Sequence, residues 1–259
     1  MELKKINRLY EEKLNNQGCL MKIVKYNNCE DIVVEFQDIY KGKIHTNYQA
    51  FLNGGVKNPY YPSVYNTGMI GTKYKMKLNG KDTKEYKVWV DMLRRCFDKN
   101  RKEEHPTYKD ISCCKEWLLF ENFYEWLHSQ ENFEKWYNGK RWDLDKDILI
   151  KGNKIYSPEY CSLVPQNVNK LFIKRDTCRG DLPIGVTRNG KGFRAECMNP
   201  FKKKREYSTT YSTPEQAFKA YKQYKENIIK QVAQMEYCKG NITKQCYDAM
   251  IKYEVEITD

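Results

Sequence analysis

The stretch from about residue 183 to residue 238 constrains the fold most strongly, because three alternating runs lead directly into a capped helix. The runs are IGVTR, FRAECMN and REYSTTYS, and the turn-forming stretch NGKG separates the first two. Alternation of apolar and polar residues is typical of half-buried strands. Ser212 or Thr213 can cap the following helix, and Pro214 suits its first position. The sequence therefore predicts a three-stranded antiparallel sheet with one helix packed on it.

Positive charge is concentrated in the same stretch. The chain has 259 residues and a formal net charge of +12, and residues 183–230 carry 11 Lys or Arg against four acids. A surface this basic favours a polyanionic partner, nucleic acid before an anionic membrane. A sheet of this width fits the major groove of DNA, where arginine reads guanine. Arg188, Lys191 and Arg194 are therefore candidate DNA-reading residues.

The run KKKR, which comprises Lys202, Lys203, Lys204 and Arg205, is predicted to grip phosphates without reading sequence. The alternative interpretation of the whole basic stretch is a solvated loop on a small α+β domain.

This segment resembles the plant ethylene-response-factor (Apetala-type) DNA-binding domain over some 50 residues. The matching stretches are GVTRNGKGFRAEC and STTYSTPEQAFKAYK, with Phe193 in place of the family's Trp and ST in place of its Leu-Gly. The resemblance implies a sheet laid in the major groove of double-stranded DNA, with strand arginines reading bases. In bacteria and phages such domains are commonly attached to homing-type nucleases.

The rest of the chain predicts two further modules, which makes the expected fold class α+β and multi-module. Residues 1–80 read as a small β-rich module behind an N-terminal helix, because MKIVKYNNCEDIVVEF alternates with period two around a turn. Residues 82–172 begin with the helical run EYKVWVDMLRRCF, whose apolar stripe leaves Arg94 and Arg95 on the other side. Residues 180–259 hold the predicted DNA-binding domain and a helical tail.

The middle segment resembles a phage-encoded HNH-like endonuclease group over about 85 residues. The motifs that carry the resemblance are WVDMLRRC, CCKEWLLF, LDKD and GNKIYSPEYCSLVPQNVN, in that order. The resemblance implies a ββα-metal fold in which Asp145 and Asn169 bind Mg²⁺ or Mn²⁺. It implies that the enzyme hydrolyses a phosphodiester bond with the help of this metal. Arg94 and Arg95 become candidate phosphate contacts beside that metal, and Asp147 a further carboxylate.

Lys146 departs from the group's pattern, because it occupies the position of the usual general-base histidine. A protonated lysine can hold a phosphate or stabilise charge in the transition state, but it cannot accept the proton of the attacking water. His105, in the HPTY loop, is an alternative candidate for the general base. Without the flanking motifs, LDKD reads as a turn-flanked strand with its acids in solvent.

The cysteines and the hydropathy bound the remaining possibilities. There are ten cysteines and no C-x-x-C pair, so structural zinc is not expected, although Cys96, Cys113, Cys114 and Cys161 could meet in space. Buried core cysteines are the favoured interpretation. No signal peptide or membrane-length apolar run is evident, which predicts a protein of the bacterial host's cytoplasm.

Three functional hypotheses follow from the sequence. The first is a phage or mobile-element site-specific endonuclease whose C-terminal domain finds the target. The second is a non-catalytic DNA-binding regulator, or an anti-host factor, that keeps a degenerate nuclease fold. The third is a protein-interaction inhibitor in which the β-rich module binds a host protein. The oligomeric state and the recognition sequence stay open.

Overall fold

The computed structural model describes residues 7–173 and 180–259. The chain folds into two compact units, Met1–His128 and Ser129–Asp259. Both units mix helices with strands, so the predicted α+β class is confirmed. The boundary between the units falls inside the segment 82–172, and the division into three modules stays a prediction.

The first unit holds seven of the strands and four of the α-helices among the described residues, with two short 3-10 helices, Pro106–Tyr108 and Glu116–Leu118. In chain order the strands and α-helices are β1 (Glu12–Leu14), β2 (Leu20–Asn28), β3 (Asp31–Phe36), β4 (Lys43–Thr46), α1 (Tyr48–Leu52), β5 (Lys77–Leu78), β6 (Lys81–Asp82), α2 (Lys84–Phe97), α3 (Lys99–Glu104), β7 (Ser112–Cys113) and α4 (Phe120–His128).

Strands β1 to β4 form one antiparallel sheet in chain order. The period-two pattern predicted for this region is confirmed, because alternate residues of β2 and β3 are buried. The fully buried set is Met21, Ile23, Ile32, Val34 and Phe36. Helix α1 closes this core with Tyr48 and Phe51. Burial of one face of an antiparallel sheet fixes the register of its strands.

The predicted N-terminal helix is wrong for residues 7–16. Glu12–Leu14 instead form β1, in which Glu12 lies opposite Lys22 of β2. The Lys22 ammonium stands 3.0 Å from the Glu12 carboxylate. Helix propensity is a weak preference that tertiary pairing routinely overrides, and here the open edge of β2 supplies the pairing. Residues 1–6 lie outside the described residues.

Helices α2 and α4, with the 3-10 turn Glu116–Leu118 that precedes α4, carry the aromatic core that the sequence predicted for this region. Trp89, Trp117, Phe120 and Phe123 are buried. The indole N–H of Trp89 donates to the Trp117 carbonyl at 2.7 Å, so the ring's one polar group is satisfied inside the core. The apolar stripe of α2 is confirmed as well, and Arg94 on its other side is exposed.

The second unit holds the remaining described elements. They are α5 (Phe133–Asn138), β8 (Trp142–Asp145), β9 (Ile155–Tyr156), β10 (Ser162–Pro165), α6 (Gln166–Asn169), β11 (Val186–Asn189), β12 (Gly192–Asn199), β13 (Lys204–Tyr211), α7 (Pro214–Cys238) and α8 (Lys244–Ile251).

Strands β11, β12 and β13 form the predicted antiparallel sheet, and α7 packs on one face of it. Of the two proposed caps, Thr213 is the one used, since its hydroxyl accepts from the Gln216 N–H at 3.3 Å. The packing is close at Gly185, where an added Cβ would stand 2.1 Å from the Tyr221 ring. Gly185 also has a φ of +70°, so glycine is required twice over.

Strands β8 and β10 pair antiparallel, with Asp145 opposite Ser162 and Trp142 opposite Pro165. Helix α6 begins directly after β10, at the end of the hairpin that holds Trp142. The order strand, return strand, helix is the one expected from the sequence. The helix is short, however, because it comprises only four residues.

Candidate functional site

The sheet of β11 to β13 has two faces of different character. Ala195 and Cys197 point towards α7 and are each 6% exposed. Because successive strand residues point to opposite faces, their neighbours in β12 point away from the helix. The outward set comprises Thr187, Arg194, Glu196, Met198, Arg205, Tyr207 and Thr210, which the strand register places together. We call this set the outer face.

Arg194 and Tyr207 form the centre of the outer face. The Arg194 guanidinium carbon lies 4.1 Å from the centre of the Tyr207 ring, and the ring itself is half exposed. The Nε of Arg194 is buried and has no hydrogen-bond partner within the described part of the chain. Stacking on an aromatic ring stabilises a guanidinium by about 0.5–2 kcal/mol. The stack holds Arg194 in one orientation without using up its terminal N–H donors.

A carboxylate accompanies the arginines of the outer face. Glu196 lies opposite Tyr207 in the register and accepts a hydrogen bond from Arg205. Met198 lies opposite Arg205 and is 53% exposed. The outer face therefore presents two guanidinium groups, one carboxylate and two exposed apolar side chains.

The predicted phosphate-gripping residues occupy the turn between β12 and β13 and the start of β13. Asn199 shapes this turn, since its side-chain oxygen accepts from the N–H groups of Phe201 and Lys202. Lys202 pairs with Glu206 at 2.6 Å. Lys203 and Lys204 are exposed, and Lys203 adopts a φ of +52°. The turn presents its lysines in a cluster at one end of the sheet.

Two further candidates lie elsewhere on this sheet. Arg188 is opposite Phe193, in the row of side chains that faces α7, and its guanidinium lies 5.3 Å from the Phe193 ring. Lys191 is exposed in the turn between β11 and β12. Strand alternation thus places Arg194 and Arg205 on the outer face and Arg188 in the row of side chains on the α7 side.

Arg94 and Arg95 lie in the first unit, on α2. Each forms an ion pair along its own helix, Arg94 with Asp98 at 3.7 Å and Arg95 with Asp91 at 2.6 Å. Exposed pairs of this i,i+4 type contribute only a few tenths of a kcal/mol.

Asp145 lies at the end of β8 and is only 7% exposed. One of its carboxylate oxygens accepts from the N–H groups of Asp147 and Ile148, at 2.9 and 2.8 Å. Burial and the nearby Asp147 carboxylate raise the pKa of Asp145 to about 7, against the opposing effect of the two amides. In this conformation the side chain closes the turn after β8.

The interior position of Asp145 is visible in its neighbours. Ser162, its partner in β10, is 2% exposed, and Cys246 of α8 is fully buried. Burial raises the pKa of the Cys246 thiol to about 12, with a further contribution from the charge of Asp145. A thiol in this state is a poor nucleophile and a poor metal ligand.

Lys146 is tied into the loop that follows β8. Its ammonium donates to the Asn153 carbonyl at 3.1 Å and pairs with Asp147 at 3.2 Å. The Asn153 amide donates in return to the Lys146 carbonyl at 2.6 Å. These reciprocal bonds give Lys146 a structural role in joining the two sides of the loop.

Asn169 lies at the end of α6, where its amide donates to the Asp143 carboxylate at 2.9 Å. Asp143 is two residues before Asp145 and shares its side of β8, but it is less buried. Sequence reasoning missed Asp143, although its i,i+2 spacing from Asp145 was a usable signal. The contact that the structure records for Asn169 is with Asp143.

The donor set around β8 can be compared with what a divalent cation requires. Carboxylate and amide oxygens of Asp143, Asp145 and Asn169 are the hard donors that Mg²⁺ and Mn²⁺ prefer. Across residues 7–173 and 180–259, however, no group of three or more His, Cys, Asp or Glu is arranged to hold a metal. Cys96 and Cys161 are buried, and Cys113 and Cys114 are half-buried.

Membrane association was not expected from the sequence. No helix in the described ranges has both the length and the apolar character needed to cross a bilayer.

The chain matches no protein-family model, no curated protein and no solved structure.

Proposed function

We propose that this protein binds double-stranded DNA through the outer face of β11, β12 and β13. The observation that carries the proposal is the half-exposed stack of Arg194 on Tyr207. Arginine reads guanine with two parallel N–H bonds, which require a fixed guanidinium plane. The stack supplies that fixed plane on the face that α7 leaves uncovered.

The surroundings of the stack support DNA as the partner. The Arg205 guanidinium, paired with Glu196, lies further along the outer face, and the exposed Lys203 and Lys204 stand at its end. DNA-binding proteins commonly read bases with arginines and contact phosphates with neighbouring lysines. A twisted sheet of three strands is also a shape that enters the major groove. The resemblance to the ethylene-response-factor domain points to the same mode of binding.

The test starts from a pool of random duplexes, from which the full chain selects a preferred sequence. Affinity for that duplex and for a scrambled duplex is then measured by fluorescence anisotropy at fixed salt. Arg194→Lys keeps the charge but loses the planar fork, so we expect about a 5- to 150-fold loss on the preferred duplex. Affinity for the scrambled duplex should stay within about twofold.

Arg188→Lys is the matched control, because Arg188 also lies over an aromatic ring but in the row that faces α7. It should leave the preference for the selected sequence intact. Equal losses for the two variants on both duplexes would refute reading by the outer face. Failure of the wild-type chain to bind any duplex at low salt would refute the whole proposal.

A second candidate function is metal-dependent cleavage of the bound DNA, and the contact between Asp143 and Asn169 favours it. An acid on the first strand beside an asparagine on the following helix is the pairing that the HNH-like resemblance implies. Asp143, Asp145 and Asn169 would hold Mg²⁺ or Mn²⁺, which would supply Lewis-acid stabilisation of the phosphate. The buried Asp145 and the loop-bound Lys146 support the non-catalytic alternative.

Nicking of supercoiled plasmid separates the two candidates. Wild-type protein is incubated with Mg²⁺ or Mn²⁺ beside Asp143→Asn, Asn169→Ala and a metal-free control. Metal-dependent nicking that both variants abolish would establish an endonuclease. Undiminished binding with no nicking in any sample would leave a DNA-binding protein without catalysis.

A further inference from the structure

The first unit carries a projecting hairpin that the proposed DNA-reading face does not explain. Strands β5 and β6 are joined by Asn79 and Gly80, whose φ angles are +49° and +74°. Positive φ at both central residues is typical of a two-residue type I′ turn. All four strand residues are exposed, so the hairpin stands away from any core. We call residues 73–84 the arm.

The arm is strongly basic. It contains five lysines and one acid, Asp82, over twelve residues. Lys75, Lys77 and Lys81 are exposed. Within the described ranges no ion pair reaches Lys75 or Lys81, and Lys77 approaches Asp82 only to 3.9 Å. Leu78, beside the turn, is 60% exposed.

Side-chain contacts with α4 hold the base of the arm in place, unlike the base of an ordinary solvated loop. The Glu121 carboxylate of α4 accepts from the N–H groups of Thr72 and Lys73, each at 2.6 Å. Glu125, one turn further along α4, pairs with Lys73 and accepts from the Tyr74 hydroxyl.

Aromatic stacking adds to these contacts at the base. The Tyr74 ring stacks on Tyr124 with the ring centres 3.8 Å apart. The stem is closed by the Thr83 N–H, which donates to the Met76 carbonyl at 2.8 Å. A basic projection fixed in this way loses little conformational entropy on binding.

We propose that the arm is a second DNA contact, one that holds the phosphate backbone without reading sequence. The proposal rests on the proposed function of the outer face, since it assumes the same class of ligand. Lys75, Lys77 and Lys81 neutralise phosphates, and Leu78 contacts the sugars between them. A two-stranded ribbon of this size fits a groove of duplex DNA.

The experiment uses the full chain with Lys75, Lys77 and Lys81 all changed to Ala. Each lost phosphate contact lowers the slope of log affinity against log salt by about 0.9. We therefore expect the slope to fall by about 2 to 3. Affinity for the preferred and the scrambled duplex should fall by the same factor, roughly tenfold or more at 0.15 M salt.

The matched control changes three other exposed lysines of the same unit, Lys25, Lys41 and Lys57, to Ala. The net charge falls equally, but the salt slope should change by less than about one contact. Changing the three arm lysines to Arg should restore the slope, and melting temperatures should confirm that all variants fold.

The outcomes separate the arm from the outer face. Equal slopes for the arm variant and the control, with DNA binding by the wild type intact, would overturn the arm alone. A selective loss of sequence preference in the arm variant would also overturn it, because phosphate contacts carry no sequence information. Absence of DNA binding by the wild type would overturn both proposals.

Discussion

The outer face of the C-terminal sheet and the β8–β10 hairpin both carry charged residues on strands, but the charged side chains are exposed or half-buried in the first, and Asp145 is buried in the second. Arg194 stacks on Tyr207 on the face of the sheet that points away from α7. Asp145 is 7% exposed, and two backbone N–H groups use one of its oxygens. A side chain with free terminal donors can bind a ligand, whereas one that closes a turn is already engaged.

The role of a short charged motif therefore depends on which elements pack over it. In the stretch GFRAEC, Ala195 and Cys197 point towards α7, so Arg194 points to the opposite face of the sheet. The stretch LDKD loses its first carboxylate to the interior, near Cys246 of α8, which is about one hundred residues later in the chain. Local spacing identifies candidate residues. Packing by helices later in the chain determines which of these side chains remain exposed to a ligand.

The largest effect should follow from deleting the Asp145 side chain. Asp145→Ala leaves the N–H groups of Asp147 and Ile148 without an acceptor, and each buried, unsatisfied amide costs about 1–3 kcal/mol. We expect the free energy of unfolding at pH 5 to fall by about 2–4 kcal/mol, measured by urea denaturation. Asp82→Ala, on the exposed arm, is the control and should cost less than about 0.5 kcal/mol. A loss for Asp145→Ala as small as the control's would contradict the turn-closing role.

The pH dependence should distinguish a turn-closing Asp145 from a metal ligand. Its folded-state pKa of about 7 lies above the ordinary value of 3.8, so the folded protein holds a proton that the unfolded chain has released. Stability that this group contributes is therefore present below about pH 4 and lost as the pH rises to about 7. The loss should be on the order of a few kcal/mol.

Asp145→Asn tests this directly, because the amide oxygen can still accept both N–H bonds but cannot ionise. The variant should show a smaller fall in stability between pH 4 and pH 7 than the wild type, and it should be the more stable protein at pH 8. Urea denaturation across that range, with and without Mg²⁺, measures both effects. Stabilisation of the wild type alone by Mg²⁺ would instead indicate a ligand.

Much of the second unit's sheet could be predicted from the sequence because its signals are local. Period-two alternation, the NGKG turn and the Thr213–Pro214 start of α7 each act within a few residues. The outward direction of Arg194 follows from the same alternation. The stack on Tyr207 does not, because it depends on the shift in register between β12 and β13 around Arg194 and Glu196.

The β8–β10 region shows why the candidate metal site could be predicted only in part. The order of strand, return strand and helix was recognisable from the motifs. The partner of Asn169 was not, because the register of β8 against β10 places Asp143, opposite Val164, within reach of α6. The predicted N-terminal helix was wrong for a similar reason. Glu12–Leu14 pair with the open edge of β2, and β2 lies beyond the stretch whose residue pattern predicted the helix.

A smaller effect is expected at Lys146. Lys146→Met removes the bond to the Asn153 carbonyl and the pair with Asp147 but keeps the length of the side chain. We expect a loss of about 1 kcal/mol or less in the free energy of unfolding. Asn153→Ala, which breaks the bonds from the other side of the loop, should act in the same direction. If Lys146→Met abolished metal-dependent nicking at unchanged stability, Lys146 would have a role in catalysis.

The smallest effect should come from Tyr207, which orients Arg194 rather than contacting a base itself. Tyr207→Leu removes the ring under the guanidinium, a contact worth about 0.5–1 kcal/mol at an exposed site. Affinity for the preferred duplex should therefore fall about two- to fivefold, and the double variant with Arg194→Ala should lose no more than Arg194→Ala alone. Tyr207→Phe keeps the ring and should retain full affinity in the same titration. An equal loss for Phe and for Leu would mean that the hydroxyl, and not the stack, makes the outer face a reading surface.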